Sequence, residues 1–274
     1  MLVLVSRLFT LTVVEGTHWD EAAQAISIKS VYTSAPRGEI LDRYGRLLAG
    51  NRPSFTVQFS QGNLDDETLN NQVATVMSIL DKNGDTVNDN LPIILENDGT
   101  FYYTYEKAIE TWLISQDMPI SYTAEDAFNE LRRRYGIDEG LDKYEAQIEL
   151  QTVYNVYPPI SVINMKFLEE LNKESFLGRY YLDYDLTAEE AFYILRDKFN
   201  IDPWLSDEEA RKIMIVRNEL SSQGYYSYIP VTIAQEVSNQ TVVTLEEIGS
   251  ELSAVDVVAE SVRYYPNGNT AAHV

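Results

Sequence analysis

An internal repeat constrains the fold of this chain more than any other feature of its sequence. Residues 123–146 align without a gap with residues 187–210, and twelve of the 24 aligned positions are identical. Each copy opens on a threonine with an acidic residue three positions later, which is the pattern of a helix-capping box. These pairs are Thr123 with Asp126 and Thr187 with Glu190. Apolar residues follow at helical spacing: Ala127, Phe128 and Leu131, then Ala191, Phe192 and Leu195.

Each copy then turns and enters a second helix, which in the later copy starts at a capping pair of Ser206 with Glu209. The copies extend over about residues 123–156 and 187–223. Two copies are too few for a solenoid, which needs at least about three repeats. The repeat therefore predicts a lobe with a duplicated helical hairpin, which could serve as a docking surface.

Charge and composition exclude several classes of function. The net charge is −22, and such a field repels polyanions, so no nucleic-acid partner is expected. The chain has no cysteine and only two histidines, His18 and His273, so we expect no disulfide, no metal site and no cofactor. The run 81–90 looks at first like a calcium loop, but its twelfth position is Pro92 rather than glutamate, so we interpret it as an acidic turn.

Other segments predict strands as well as helices. Phe55, Val57 and Phe59 alternate with polar residues, which is typical of a half-buried strand. Residues 92–95 and 100–105 flank a turn and predict a hairpin. Its aromatic strand could be a carbohydrate platform, but cross-strand packing is the favoured interpretation. Residues 65–80 predict a helix, 225–233 a strand, 234–252 one or two short helices, and 255–262 a closing strand.

The segment 35–49 predicts a strand, a tight turn and a second strand. Asp42, Arg43, Tyr44 and Gly45 form a turn tetrad, with glycine where a left-handed conformation is commonest. Gly38 can adopt backbone angles closed to other residues. The charges here suggest a structural corner rather than a catalytic site.

Both ends of the chain resemble one protein family. The motif Arg-Gly-x-Ile-x-Asp-Arg-x-Gly-x-x-Leu-Ala, followed by Asn51, is similar to the opening motif of the class B penicillin-binding proteins. The end of the chain resembles the end of the same domain. It contains Pro-Val-Thr-Ile-Ala at 230–234, Glu246-Glu247, and a closing segment with Arg263, Tyr265, Pro266 and Gly268. The resemblance does not assign residues 60–122 or the first repeat copy to positions of the family pattern.

The resemblance implies a fold and a set of structural residues. The expected fold is α+β: a small, mainly antiparallel sheet, like that of the penicillin-binding protein dimerisation domain, beside the helical lobe. The opening hairpin, the Phe55 strand and the closing strand should share this sheet. The residues implied to be structural or coupling residues are Arg37, Gly38, Asp42, Arg43, Gly45, Asn51, Arg263, Tyr265, Pro266 and Gly268. We expect Arg37, Asp42, Arg43 and Arg263 to form a buried or half-buried polar junction, with exposed turn charges as the alternative.

The first fourteen residues are the most apolar segment, but as a helix they would span about 21 Å, short of the roughly 30 Å hydrocarbon core. A buried or surface amphipathic helix is one interpretation. The family resemblance favours the other, in which residues 1–16 are the outer end of a membrane anchor and residues 17–274 form the non-catalytic pedestal. The membrane-facing residues would be Leu2, Val3, Leu4, Val5, Leu8 and Phe9. The expected location is the cell membrane, with a single-pass anchor and an extracytoplasmic domain.

The transpeptidase motifs of the family are absent from the sequence. No serine has lysine three positions later, and Lys-Thr-Gly does not occur, so the family's nucleophile cannot be assigned to any residue. The resemblance thus implies the pedestal of a serine D,D-transpeptidase, of the elongation rather than the septal type. Its expected partners are its own transpeptidase domain and a membrane glycan polymerase of the shape, elongation, division or sporulation type. The alternatives are a free-standing interaction module without an enzyme, or an enzyme with an unrelated acidic site.

Overall fold

The computed structural model describes residue 7, residues 37–223, residues 229–266 and residue 268. Compact packing divides the chain into two units, one formed by the two ends of the chain (1–54 and 259–274) and the other by residues 55–258. The predicted anchor residues and strand positions 225–228 lie outside the described residues.

The strands confirm the predicted α+β class and its small antiparallel sheets. A short strand β1 (Ile40–Leu41) pairs antiparallel with β2 (Leu47–Phe59), with Ile40 opposite Ala49. Strand β2 also pairs antiparallel with β7 (Val231–Ala234), and β8 (Val255–Tyr264) pairs with β2. The opening hairpin, the Phe55 strand and the closing strand therefore share one sheet, as expected.

Eight α-helices are present in the described residues. The first is α1 (Asp66–Asn83), which ends at Gly84 with a left-handed φ of 73°. Next come α2 (Thr104–Ser115), α3 (Ala124–Tyr135) and α4 (Lys143–Thr152), followed by α5 (Leu168–Arg179), α6 (Ala188–Lys198) and α7 (Asp207–Ser222). The last is α8 (Asn239–Glu247), before a 3-10 turn at Gly249–Glu251. The capping boxes predicted at Thr123, Thr187 and Ser206 are all confirmed.

Two β-hairpins lie among the helices of the unit formed by residues 55–258. Strand β3 (Ile93–Leu95) pairs with β4 (Phe101–Tyr103), and β5 (Ile160–Ser161) pairs with β6 (Lys166–Phe167). The hairpin predicted at 92–105 is thus confirmed, but its second strand ends two residues earlier than predicted, at Tyr103. Helix α2 begins at Thr104 because the extended Tyr103 is its N-cap residue and the Thr104 amide donates to the Pro92 carbonyl at 2.9 Å.

The unit of residues 55–258 contains two separate clusters of buried apolar residues. The larger cluster combines α1, α7, β2, β7 and the β3–β4 hairpin, with Val76, Ile93 and Phe192 among its fully buried side chains. The smaller cluster lies wholly within residues 113–167 and is centred on Phe128, Leu131 and Leu150. Burial of apolar surface stabilises by about 25 cal/mol per Å², so each cluster favours the packing of the helices that contribute to it.

Candidate functional site

The opening corner is a turn held by one aspartate. The Asp42 carboxylate accepts hydrogen bonds from the backbone amides of Tyr44 (2.8 Å) and Arg46 (2.9 Å). Gly45 has a φ of 79°, in the left-handed region, and its amide donates to the Asp42 carbonyl. The predicted turn is therefore confirmed, and glycine is required at position 45 because other residues are strained at that φ.

Two side chains tie the segment before this turn to neighbouring strands. The half-buried Arg263, on β8, donates from Nη1 to the Gly38 carbonyl at 2.6 Å. The Asn51 amide, on β2, donates to the Arg37 carbonyl. The guanidinium of Arg263 also lies 6.0 Å from the Tyr265 ring centroid. Both contacts join residues that are far apart in sequence, and both end on backbone carbonyls.

The predicted burial of Arg37 and Arg43 is wrong. Both side chains are exposed, whereas Asp42 and Arg263 are half-buried. Arg43 occupies the turn and extends along the Tyr44 ring, 4.6 Å from its centroid, because a turn position directs its side chain to solvent. Gly38 is exposed and has space for a Cβ atom, so no neighbouring atom requires glycine at this position. Pro266 is exposed as well, and Gly268 has a φ of 60°.

The duplicated part of the chain is larger than the sequence indicates. Helices α2 and α5 begin and end 64 positions apart, and the helices that follow them in the two copies also begin 64 positions apart. The residues just after them, Asp117 and Tyr181, both adopt left-handed φ values of 53° and 60°. Only three of the twelve aligned positions in these helices are identical. Each copy is therefore a hairpin followed by three helices, and the weak identity of the first helix conceals it.

A pair of equivalent arginines holds the loop between the second and third helices. Arg196 donates from Nη2 to the carbonyls of Asp202 (2.8 Å) and Leu205 (2.6 Å). Arg132 donates to the equivalent carbonyls of Asp138 and Leu141. Guanidinium suits this role because it offers several donors in a fixed planar fork. Both arginines are visible in the sequence, but their acceptors cannot be predicted from it, because every residue has a backbone carbonyl.

The first and second helices are joined by a second recurring contact. Arg134 Nη1 donates to the Gln116 carbonyl, and Lys198 Nζ donates to the equivalent Tyr180 carbonyl at 2.9 Å. In the first copy, Glu130 accepts hydrogen bonds from Arg133 and Arg134, which lower the pKa of its carboxyl group to about 2. The pKa of the Glu190 carboxyl group, in a capping box, is also lowered, because the Thr187 backbone amide and hydroxyl donate hydrogen bonds to it.

The two copies exchange their hairpins. The β3–β4 hairpin precedes the first copy, yet Phe101 packs on Phe192 of α6 with ring centroids 4.7 Å apart. Arg211 of α7 donates to the Ile93 carbonyl at 2.7 Å. Conversely, Gln147 of α4 donates to the Ile160 carbonyl of the β5–β6 hairpin at 3.4 Å. The hairpin of each copy thus completes the core of the other.

Nothing in the described residues suggests a metal centre or a membrane span. Over those residues, no group of three or more histidine, cysteine or acidic side chains could hold a metal ion. None of the helices described here is both long enough and apolar enough to cross a bilayer. The acidic run 81–90 instead binds protein donors: Asp85 accepts from the Ser238 amide at 2.8 Å, and Asp89 pairs with Arg211.

Comparisons with known proteins agree with the motifs at the two ends. The family model described as Penicillin-binding Protein dimerisation domain matches residues 32–274. Among solved structures, the chain is similar to penicillin-binding protein 2B from Streptococcus pneumoniae, strains 5204 and R6. Identities are 15% and 13%, with TM-scores of 0.37 and 0.32. Each match covers 86% of this chain but only 26% of the longer protein. No curated protein matches the chain.

Proposed function

The chain belongs to the penicillin-binding protein dimerisation-domain family, and from this premise we propose that it is the non-catalytic pedestal of a class B penicillin-binding protein. It positions a serine D,D-transpeptidase domain for peptidoglycan crosslinking and couples that domain to a membrane glycan polymerase of the elongation type. It acts outside the cytoplasmic membrane, to which residues 1–16 anchor it. The chain itself contributes no nucleophile, because the Ser-x-x-Lys and Lys-Thr-Gly motifs are absent.

The observation that carries this proposal is the hydrogen bond from Arg263 to the Gly38 carbonyl, which joins positions 225 residues apart. In a pedestal, the chain that comes from the membrane and the chain that continues towards the enzyme must be mechanically connected. Because β1, β2 and β8 belong to one sheet and Arg263 bonds across to the opening segment, a displacement of either end is transmitted through hydrogen bonds rather than through a flexible linker.

The proposal is tested in proteoliposomes that contain the anchored full-length protein and the glycan polymerase of the same host. The rate of glycan synthesis from a lipid-linked precursor measures coupling, and acylation by a fluorescent penicillin measures the transpeptidase domain. We expect Arg263→Ala to lower the stimulated polymerase rate while acylation is retained, since the substitution lies outside the enzyme domain. The matched control is Arg46→Ala, because Arg46 is also an arginine of this sheet region, lies in the turn between β1 and β2, and has a side chain that is 77% exposed.

Two results would overturn the proposal. One is that the Arg263 variant, the Arg46 variant and a protein that lacks the pedestal all give the same polymerase rate. The other is acylation of residues 1–274 alone by the fluorescent penicillin, because this would require a nucleophile within the chain.

A further inference from the structure

Helix α7 of the second copy is covered along one face by helix α1. Lys212 pairs with Asp81, and Arg217 Nη2 lies 2.5 Å from Asp66 Oδ1. These two acidic residues are near opposite ends of α1, so the ion pairs fix both ends of the covering helix. Between them, Ile213 and Val216 are almost fully buried in one apolar cluster with residues of α1. The third helix of a repeat copy is thus built to receive another helix.

The equivalent face of α4 in the first copy has no such cover. Ile148 occupies the position of Lys212 and is 58% exposed, and Val153 occupies the position of Arg217 and is 66% exposed. Tyr144, one turn before Ile148, is 47% exposed. The opposite face of α4 is satisfied, because Ala146 and Leu150 are fully buried in the core of their own copy. Among the described residues, the apolar side chains on the outer face remain in solvent.

Charged and apolar positions are interchanged between this face of α4 and the equivalent face of α7. Two cationic positions have become apolar, and the buried Ile213 has been replaced by Glu149. Glu145 lies on the same face, one turn before it, and is exposed. A helix that binds here must therefore offer an apolar stripe to Ile148 and Val153 and cations to the two glutamates.

We propose that this face, defined by Tyr144, Glu145, Ile148, Glu149 and Val153, binds an amphipathic helix of a partner protein with Lys or Arg beside its apolar stripe. A second copy of the chain is disfavoured as the occupant. Each chain carries a net charge of −22, and pairing of this face with itself would bring its glutamates against each other, so like charges would repel. The inference goes beyond the pedestal function and does not depend on an enzyme domain.

The test is site-specific photo-crosslinking of the full-length protein in its native host. A photoreactive benzoyl-phenylalanine replaces Val153 in one strain and Ile114 in another. Ile114 is the matched control, because it is an exposed apolar residue on α2 with 63% exposure. We expect position 153 to give a single main adduct at several times the yield of position 114. Mass spectrometry of the adduct should place it in a helix-forming segment with Lys or Arg next to apolar residues.

Charge reversal on the same face provides the second measurement. Glu145→Lys combined with Glu149→Lys should lower the yield from position 153 at least about fivefold, since both charge pairs become repulsive. Glu110→Lys, an exposed substitution on α2, should leave the yield unchanged. Ile148→Glu should lower it as well, by removing an apolar contact without reversing a charge.

The inference is overturned if positions 153 and 114 crosslink equally, or if the adduct joins two copies of this chain. An adduct in an acidic or non-helical segment of the partner would also overturn the inference. The inference is likewise overturned if the crosslinking yield from position 153 is changed neither by the charge reversal nor by Ile148→Glu while the protein remains folded. Circular dichroism checks that each variant is folded, which we expect because the substituted side chains are exposed or only half-buried.

Discussion

Removal of the arginine that holds the loop in the second copy should destabilise the protein more than removal of its counterpart in the first copy. Arg196 is 8% exposed. Besides its two carbonyl acceptors, it pairs with Asp207 through Nη1 at 2.7 Å. Arg132 binds the two equivalent carbonyls, is half-buried, and has lysine at position 143 where the second copy has Asp207. The two substitutions therefore differ by one ion pair and by the degree of burial.

The expected magnitudes follow from these contacts. Hydrogen bonds that involve a charged group contribute about 1.5 kcal/mol each at the low end, so the loss of two carbonyl contacts costs about 3 kcal/mol in Arg196→Ala. The Asp207 side chain is 35% exposed, so solvent screening limits its pair to about 0.5–1 kcal/mol. For the more exposed Arg132, water can replace part of the lost bonding, and we expect about 2 kcal/mol. The difference between the two variants should thus be about 1.5–2 kcal/mol.

Urea unfolding, monitored by circular dichroism, measures these free energies. Arg133→Ala is the control, because its side chain is 71% exposed and its ion pair with Glu130 lies at the surface; it should change the free energy of unfolding less than either loop-arginine substitution. Hydrogen exchange adds a local measurement, since each variant should lose protection first in its own copy. The reasoning is refuted if Arg196→Ala costs no more than the control, or if Arg132→Ala is the more damaging substitution.

Two further predictions follow from the same contacts. As the pH falls from about 4.5 towards 2, stability should be lost. The pKa of Glu130 drops from 4.5 to about 2 on folding, and a depressed folded-state pKa contributes stability only while the group is ionised. Urea midpoints over this range should fall less steeply for Glu130→Gln than for the parent, and an unchanged slope would contradict the assignment. The fragment 104–167 should fold alone, because it holds the whole smaller core, whereas 93–152 should not, because it lacks the β5–β6 hairpin. Circular dichroism and dispersed amide proton spectra distinguish the two, and a folded 93–152 would contradict the hairpin exchange.

The sequence predicts those parts of the fold that depend on local contacts. The capping boxes at Thr123 and Thr187 can be read directly, because donor and acceptor are three residues apart. The turn at Asp42 is predictable for the same reason. By contrast, Arg263 was assigned to a junction only through the family resemblance, and its acceptor is a backbone carbonyl that any residue supplies. The hairpin exchange could not be predicted, since the same residues would also fit a hairpin packed on its own copy.

The duplication separates the residues that build the unit from those that determine what it contacts. Apolar positions that are identical in both copies, such as Ala127 with Ala191 and Leu131 with Leu195, are almost completely buried, so the core of the unit constrains them. Positions on the outer face of the third helix differ in character between the copies: in one copy this face meets α1, and in the other it is exposed among the described residues. A change from cation to aliphatic residue at an exposed site gains nothing within the copy itself, because exposed apolar surface is unfavourable in water. The difference is therefore best explained by what each face contacts, which is why the α4 face is the part of the helical lobe most worth probing.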